Sequence, residues 1–200
     1  KWTNLSKLPI EIHHASLGTA NNKIYLIGGF TKDISWQNPN HNVYEYDILK
    51  DSWKKHDSLQ TIRVAHTAES IDNEIYLIAG HGYKPSRILK YNPVNKKIIE
   101  IERMMPKPAD HVASVKDKNG NLIILGGRDG SGNLNIVRFF DMQNLKWFYN
   151  DSLPINTSGH VGEFIKEKIH IIGGEDIFGK KVFDDHWFFD FEKNKWFESK

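Results

Sequence analysis

Apolar residues in this chain come in short bursts, not in helical stripes. "KIYLI" (23–27), "EIYLI" (74–78), "LIIL" (122–125) and "KIHII" (168–172) are runs of β-branched, leucine and aromatic residues. Each is too short for a helix, and each stops at a pair of small residues: Gly28–Gly29, Ala79–Gly80, Gly126–Gly127 and Gly173–Gly174. Glycine permits a tight turn or a close backbone approach, so a β-rich run ending this way predicts a buried strand. Ahead of each run, "HHASLGTA", "HTAESI", "HVASV" and "HVGEFI" supply small and apolar residues suited to a crowded inner strand. "NVYEYD", "RILKYN", "IVRFFD" and "DHWFFD" alternate, or nearly so, and run into polar turns. The Trp-led segments "WKKHDSL" and "WFYNDSLP" predict a fourth, outer strand. No segment sustains a helical period.

The pattern repeats. The second glycines, Gly29, Gly80, Gly127 and Gly174, are spaced by 51, 47 and 47 residues. A second landmark keeps step, an aromatic residue followed by Asp or Asn with a large apolar residue seven places on: Tyr46 and Trp53, Tyr91 and Ile98, Phe140 and Trp147, Phe189 and Trp196. Four short antiparallel strands per period of about 47 residues is the arithmetic of a propeller blade. The expected fold is therefore all-β, one domain over residues 1–200, with four repeats at about 9–59, 60–106, 107–154 and 155–200. Trp2 to Leu8 keeps the phase of an outer strand, and the last repeat ends early. Residues 1–8 are therefore expected to complete the last blade and close the ring. A four-stranded sheet cannot cover both of its own faces, and stacking blades around an axis covers them with each other's side chains. The Trp and Tyr positions are expected to fill those gaps.

Composition narrows the chemistry. The formal net charge is +2, from 27 basic and 25 acidic residues mixed along the chain, with no stripe suited to a phosphate backbone, so nucleic acid is not an expected partner. No apolar stretch approaches the roughly 20 residues needed to span a bilayer as a helix. Cysteine is absent, which removes disulfides, thiolate nucleophiles and zinc thiolate sites. No Gly-x-Ser-x-Gly elbow, phosphate loop or His-Glu-x-x-His motif occurs.

The order of glycine pair, aromatic-Asp and Trp resembles the kelch repeat over essentially the whole chain. More narrowly, "LPIEIHHAS…KIYLIGGF", "DHVAS…GGRDG" and "GGEDIFGKKVFDD" look like successive blades of bacterial stand-alone kelch proteins related to the galactose oxidase central domain. Repeat two departs from the pattern at Ala79 and Ile98 but keeps its spacing. The resemblance implies a kelch-type β-propeller and a binding scaffold for a protein or carbohydrate ligand, with no cofactor. The absence of cysteine excludes galactose oxidase activity, whose copper radical site needs one. A carbohydrate-modifying enzyme of the sialic acid mutarotase type and a module of a larger six-bladed or multi-chain assembly are the alternatives. A bacterial source and a periplasmic or extracellular place are expectations from the same resemblance.

By the resemblance, two sets of loop residues converge at the channel mouth. The first precedes each inner strand: His13 and His14, Arg63, Asp110. The second follows each glycine pair: Phe30, His81, Arg128 with Asp129, and Glu175. Arginines there suit a peptide carboxylate or a sugar, and Phe30 or His81 a stacking face. His14, His66, His111 and His160 precede their second glycines by 15, 14, 16 and 14 residues. Allowing for turn length they are expected to share one position, as buried hydrogen-bonding residues. A metal held by His66, His111 and His160 is the weaker reading. Trp36, in the long loop of residues 30–42, is a candidate contact anchor.

Overall fold

The structure, a computed structural model, describes residues 1–32 and 38–199; Trp36 lies outside the described residues. Four antiparallel sheets follow one another along the chain, each of four strands in sequence order. Blade 1 is Ser16–Ala20, Lys23–Ile27, Asn42–Asp47 and Ser52–Ser58. Blade 2 is Thr67–Ile71, Glu74–Ile78, Ile88–Asn92 and Lys97–Ile101. Blade 3 is Ala113–Lys116, Leu122–Leu125, Ile136–Asp141 and Lys146–Ser152. Blade 4 is Val161–Ile165, Lys168–Ile172, His186–Asp190 and Lys195–Glu198. The first strands of successive blades pack side by side, which makes them the inner strands of a propeller.

Each pair of blades consecutive in the chain closes on an apolar cluster. Tyr25, Ile27 and Val43 of blade 1 meet Ile75, Leu77, Leu89 and Tyr91 of blade 2. Tyr76, Ile78 and Ile88 meet Leu122, Ile124 and Phe140. Val115, Ile123 and Leu125 meet Ile169, Ile171 and Phe189. Trp147 and Trp196 pack at the margins of these clusters and Tyr46 stacks on Trp53 within blade 1, so the aromatics serve packing.

In the first three blades the second glycine ties its blade to the next. Gly29, Gly80 and Gly127 donate N–H to the carbonyls of Arg63, Ala109 and Thr157 at 2.9–3.1 Å. All three have left-handed backbone, and a Cβ on Gly29 would fall 2.5 Å from the His13 carbonyl oxygen. Only glycine combines that conformation with that approach, which is why the stop signal recurs.

The N-terminus corrects one expectation. Residues 1–8 form no strand and join no sheet, and blade 4 has its own outer strand, Lys195–Glu198. Ser6 instead donates its N–H to the Asp51 carboxylate at 2.8 Å, at the outer hairpin of blade 1.

Candidate functional site

Backbone pairing defines which residues are equivalent at the loop end of the inner strands, where the sequence led us to expect the mouth. His13 pairs with Phe30, Val64 with His81, Asp110 with Arg128, and Ser158 with Glu175. One residue later comes a ring of left-handed residues, His14, Ala65, His111 and Gly159. It is linked blade to blade: Ala65 N–H donates to the His14 carbonyl, His111 N–H to that of Ala65 and Gly159 N–H to that of His111, at 2.8–3.0 Å. Each blade therefore presents three mouth positions. Blades 1 and 3 fill them with His13, His14 and Phe30, and with Asp110, His111 and Arg128, while blades 2 and 4 place Ala65 and Gly159 in the ring.

Those small residues let bulky neighbours meet. The rings of His14 and His111 approach to 5.1 Å between centroids, across Ala65. His13 and His14 contact each other through their Nδ1 atoms and rest on Phe30, which is buried as a floor. Asp110 is the buried hub. Its carboxylate accepts from His111 Nδ1, from Arg128 Nε at 3.2 Å and from His81 Nε2 at 2.6 Å. Arg128 also reaches His111 Nε2 and the Glu175 carboxylate, each at 3.1 Å. The network thus touches all four blades. Its members His14, Phe30, His81, Asp110, His111 and Arg128 line a cavity of about 420 Å³ together with Phe178, from the hairpin of blade 4, and Glu175 is joined to that lining through Arg128.

The electrostatics follow from this crowding. Burial pushes the Asp110 carboxyl up, but the hydrogen bond from His111 and the charges of His81, His111 and Arg128 outweigh it and hold the group below the usual carboxylate value. His14 is lowered, first by burial and then by His111, His13 and Arg128. Asp129 lines the cavity, but its carboxylate is engaged by the Ser131 N–H and hydroxyl within its own hairpin.

Two expectations change. Arg63 is not at the mouth: it is buried, and its guanidinium donates to the carbonyls of Leu77, Tyr83 and Lys84 at 2.6–3.3 Å. It stands one residue ahead of the mouth position held by Val64, where a side chain runs back along the sheet. Arg138 does the same work in blade 3, on Pro106, Gly126 and Lys107. The histidines, likewise, do not form one ring. The hairpin turn of blade 3 is one residue longer than those of the other blades. With that residue removed, His14 and His111 share the spacing 15 and His66 and His160 the spacing 14. His66 and His160 therefore sit one place further along. They are buried between blades, and neither ring nitrogen has a hydrogen-bond partner in the protein. Burial lowers them to about 3 and about 4, so both are neutral at ordinary pH. Among the described residues no group of three or more His, Asp or Glu is arranged to hold a metal.

Comparison with known proteins agrees with this architecture. Residues 65–200 match the family model described as the KLHDC2/KLHL20/DRC7 Kelch-repeats domain, and residues 12–55 match the Kelch motif. The chain is 26% identical to human Kelch-like protein 38 over 179 residues, 87% of this chain and 30% of that protein. It is 30% identical to mouse Kelch-like protein 36 over 138 residues, 65% of this chain and 22% of that protein. To Kelch-like protein 40 of Xenopus tropicalis it is 28% identical over 207 residues, 98% of this chain and 33% of that protein. The chain thus spans a third or less of these relatives' length. The matches carry the family and not the narrower resemblance to bacterial stand-alone proteins. With four sheets in kelch order and a family model over residues 65–200, this chain belongs to the kelch-repeat family.

Proposed function

We propose that this propeller is a protein-interaction scaffold whose channel mouth takes a peptide carrying an acidic side chain beside an apolar one. The observation that carries this reading is the pairing of unlike surfaces in one cavity. Phe178 projects from its hairpin with 66% of its surface exposed, next to the His14, His81, His111 and Arg128 donors. Exposed aromatics beside a guanidinium are the composition of interaction hot spots. Ile177 and Val182 on the same hairpin are also exposed, which extends the apolar side of the surface and favours a peptide over a sugar.

The test is selection of random peptides on the immobilised protein. Sequences pairing Asp or Glu with a large apolar residue are expected to be enriched. Arg128→Ala and Phe178→Ala are each expected to lower binding of the selected peptides at least tenfold; Phe178→Ala should leave the melting temperature nearly unchanged because Phe178 is exposed, whereas Arg128→Ala should lower it, because the buried Asp110 loses a partner. Equal binding by both variants would place the ligand elsewhere.

A second reading, that these blades form part of a larger propeller or assembly, has its own support. The residue just before each glycine pair is Ile27, Ile78, Leu125 or Ile172. The first three are 0–2% exposed, and Ile172 is 49% exposed. Val161 and Ile165 on the same face of blade 4 are exposed too. Among the described residues no apolar cluster joins blade 4 to blade 1.

A further inference from the structure

We infer that Glu175 is a built-in competitor for the ligand: its carboxylate occupies the edge of Arg128 that an acidic side chain of a bound peptide takes. This rests on the acidic-peptide reading above and adds the residue that sets how acidic a ligand must be.

The contacts of Arg128 differ in kind. Toward its own blade, Nε meets Asp110 and Nη2 meets His111. Asp110 is 6% exposed in its side chain and is held in turn by His81, so this side of the guanidinium is fixed. Only Nη1 crosses to the next blade, and its partner there is the Glu175 carboxylate, 37% exposed. The Glu175 main chain is pinned independently of that carboxylate: its N–H donates to the Ser158 carbonyl, and its carbonyl accepts from Ser158 N–H and Asn133 Nδ2. The side chain is therefore free to leave without disturbing the strand. Gly159 leaves it room, since even a Cβ there would come no nearer than 3.6 Å to the Glu175 side chain.

A pair in which one partner, Glu175, reaches solvent is worth only a small multiple in an equilibrium constant. It is exchangeable for another carboxylate. A neutral ligand gains nothing from the exchange, because it would leave Arg128 with a poorer partner than Glu175. An acidic ligand recovers the contact and returns Glu175 to water. Glu175 thereby screens against uncharged peptides and weakens every acidic one by a constant factor.

The experiment uses two probes, acetyl-Glu-Phe-amide and acetyl-Gln-Phe-amide, titrated by NMR into wild type, Glu175→Gln and Arg128→Leu. Glu175→Gln is expected to bind the glutamate probe about two- to fivefold more tightly than wild type, the range such a pair allows. The gain for the glutamine probe is expected to be smaller, and Arg128→Leu is expected to lose the preference for glutamate. Equal affinity of wild type and Glu175→Gln for the glutamate probe would overturn the competitor role while leaving the acidic-peptide reading in place. No binding by any of the three proteins, Glu175→Gln included, would overturn both. Unchanged main-chain shifts at Ser158 and Asn133 in Glu175→Gln control for a structural loss.

Discussion

The gap between blades 2 and 3 is built differently from its two neighbours. Between blades 1 and 2, and between blades 3 and 4, the first glycine of the pair faces a buried imidazole: a Cβ on Gly28 would lie 2.7 Å from His66 Cε1, and one on Gly126 2.9 Å from His160 Cε1. In the middle gap the glycine is Ala79, and the residue equivalent to the histidine is Val112; both pack in one apolar cluster. The repeat is thus conserved in volume and not in residue type: where a methyl group is added on one side, ring atoms are removed on the other. Ala79 retains the left-handed backbone of the glycines, φ 62°, so the exchange did not alter the path of the chain.

This pairing is broken most severely by Gly28→Ala. The new methyl would sit 2.1 Å from the Arg63 carbonyl oxygen as well as against His66, on backbone with φ +72°. A loss of about 3 kcal/mol or more is expected in denaturant unfolding.

Acid should come next, and it should discriminate between the gaps. His66 and His160 have folded values of about 3 and about 4, below the ordinary 6.5. Because the folded value is depressed, their contribution is complete above pH 6.5 and is lost as pH falls toward those values. Hydrogen exchange at pH 4.5 is expected to accelerate in the gaps that hold these histidines before the Ala79–Val112 gap, and His66→Leu with His160→Leu should flatten the acid limb of the stability curve.

Gly126→Ala offers the sharper test of compensation. Alone it is expected to cost about 2–3 kcal/mol. Combined with His160→Val, which copies the middle gap, part of that loss should return as a coupling of about 1 kcal/mol in a double-mutant cycle. The smallest effect is expected for Ala79→Gly, within about 1 kcal/mol of neutral: the lost methyl contact is offset by relief of the left-handed alanine.

The same comparison explains what was legible in the sequence. The fold followed from the spacing of the second glycines, where left-handed backbone coincides with a close approach that leaves no room for a Cβ. The closeness of Asp110, Arg128, Glu175, His13 and His14 was legible because strand pairing fixes their place relative to those glycines; their part in binding is the proposal. Arg63 was misplaced because one residue along a strand reverses the direction of a side chain. The two kinds of histidine look alike in sequence because a one-residue difference in spacing can pass for turn length, whereas among the four blades blade 3 has the longer turn. The exchange of Gly and His for Ala and Val joins positions more than 30 residues apart, and it becomes visible only when neighbouring blades are in contact. Phe178 carried no signal of its own, being an ordinary apolar residue in a hairpin whose orientation the sequence does not show.

The most direct test of the account is amide and side-chain chemical-shift mapping of the 200-residue chain titrated with acetyl-Glu-Phe-amide. Shifts are expected to concentrate at His14, His81, His111, Arg128, Glu175 and Phe178, with the buried His66 and His160 unmoved. Shifts confined to Val161, Ile165 and Ile172 on the open face of blade 4, or spread without a centre, would contradict that expectation.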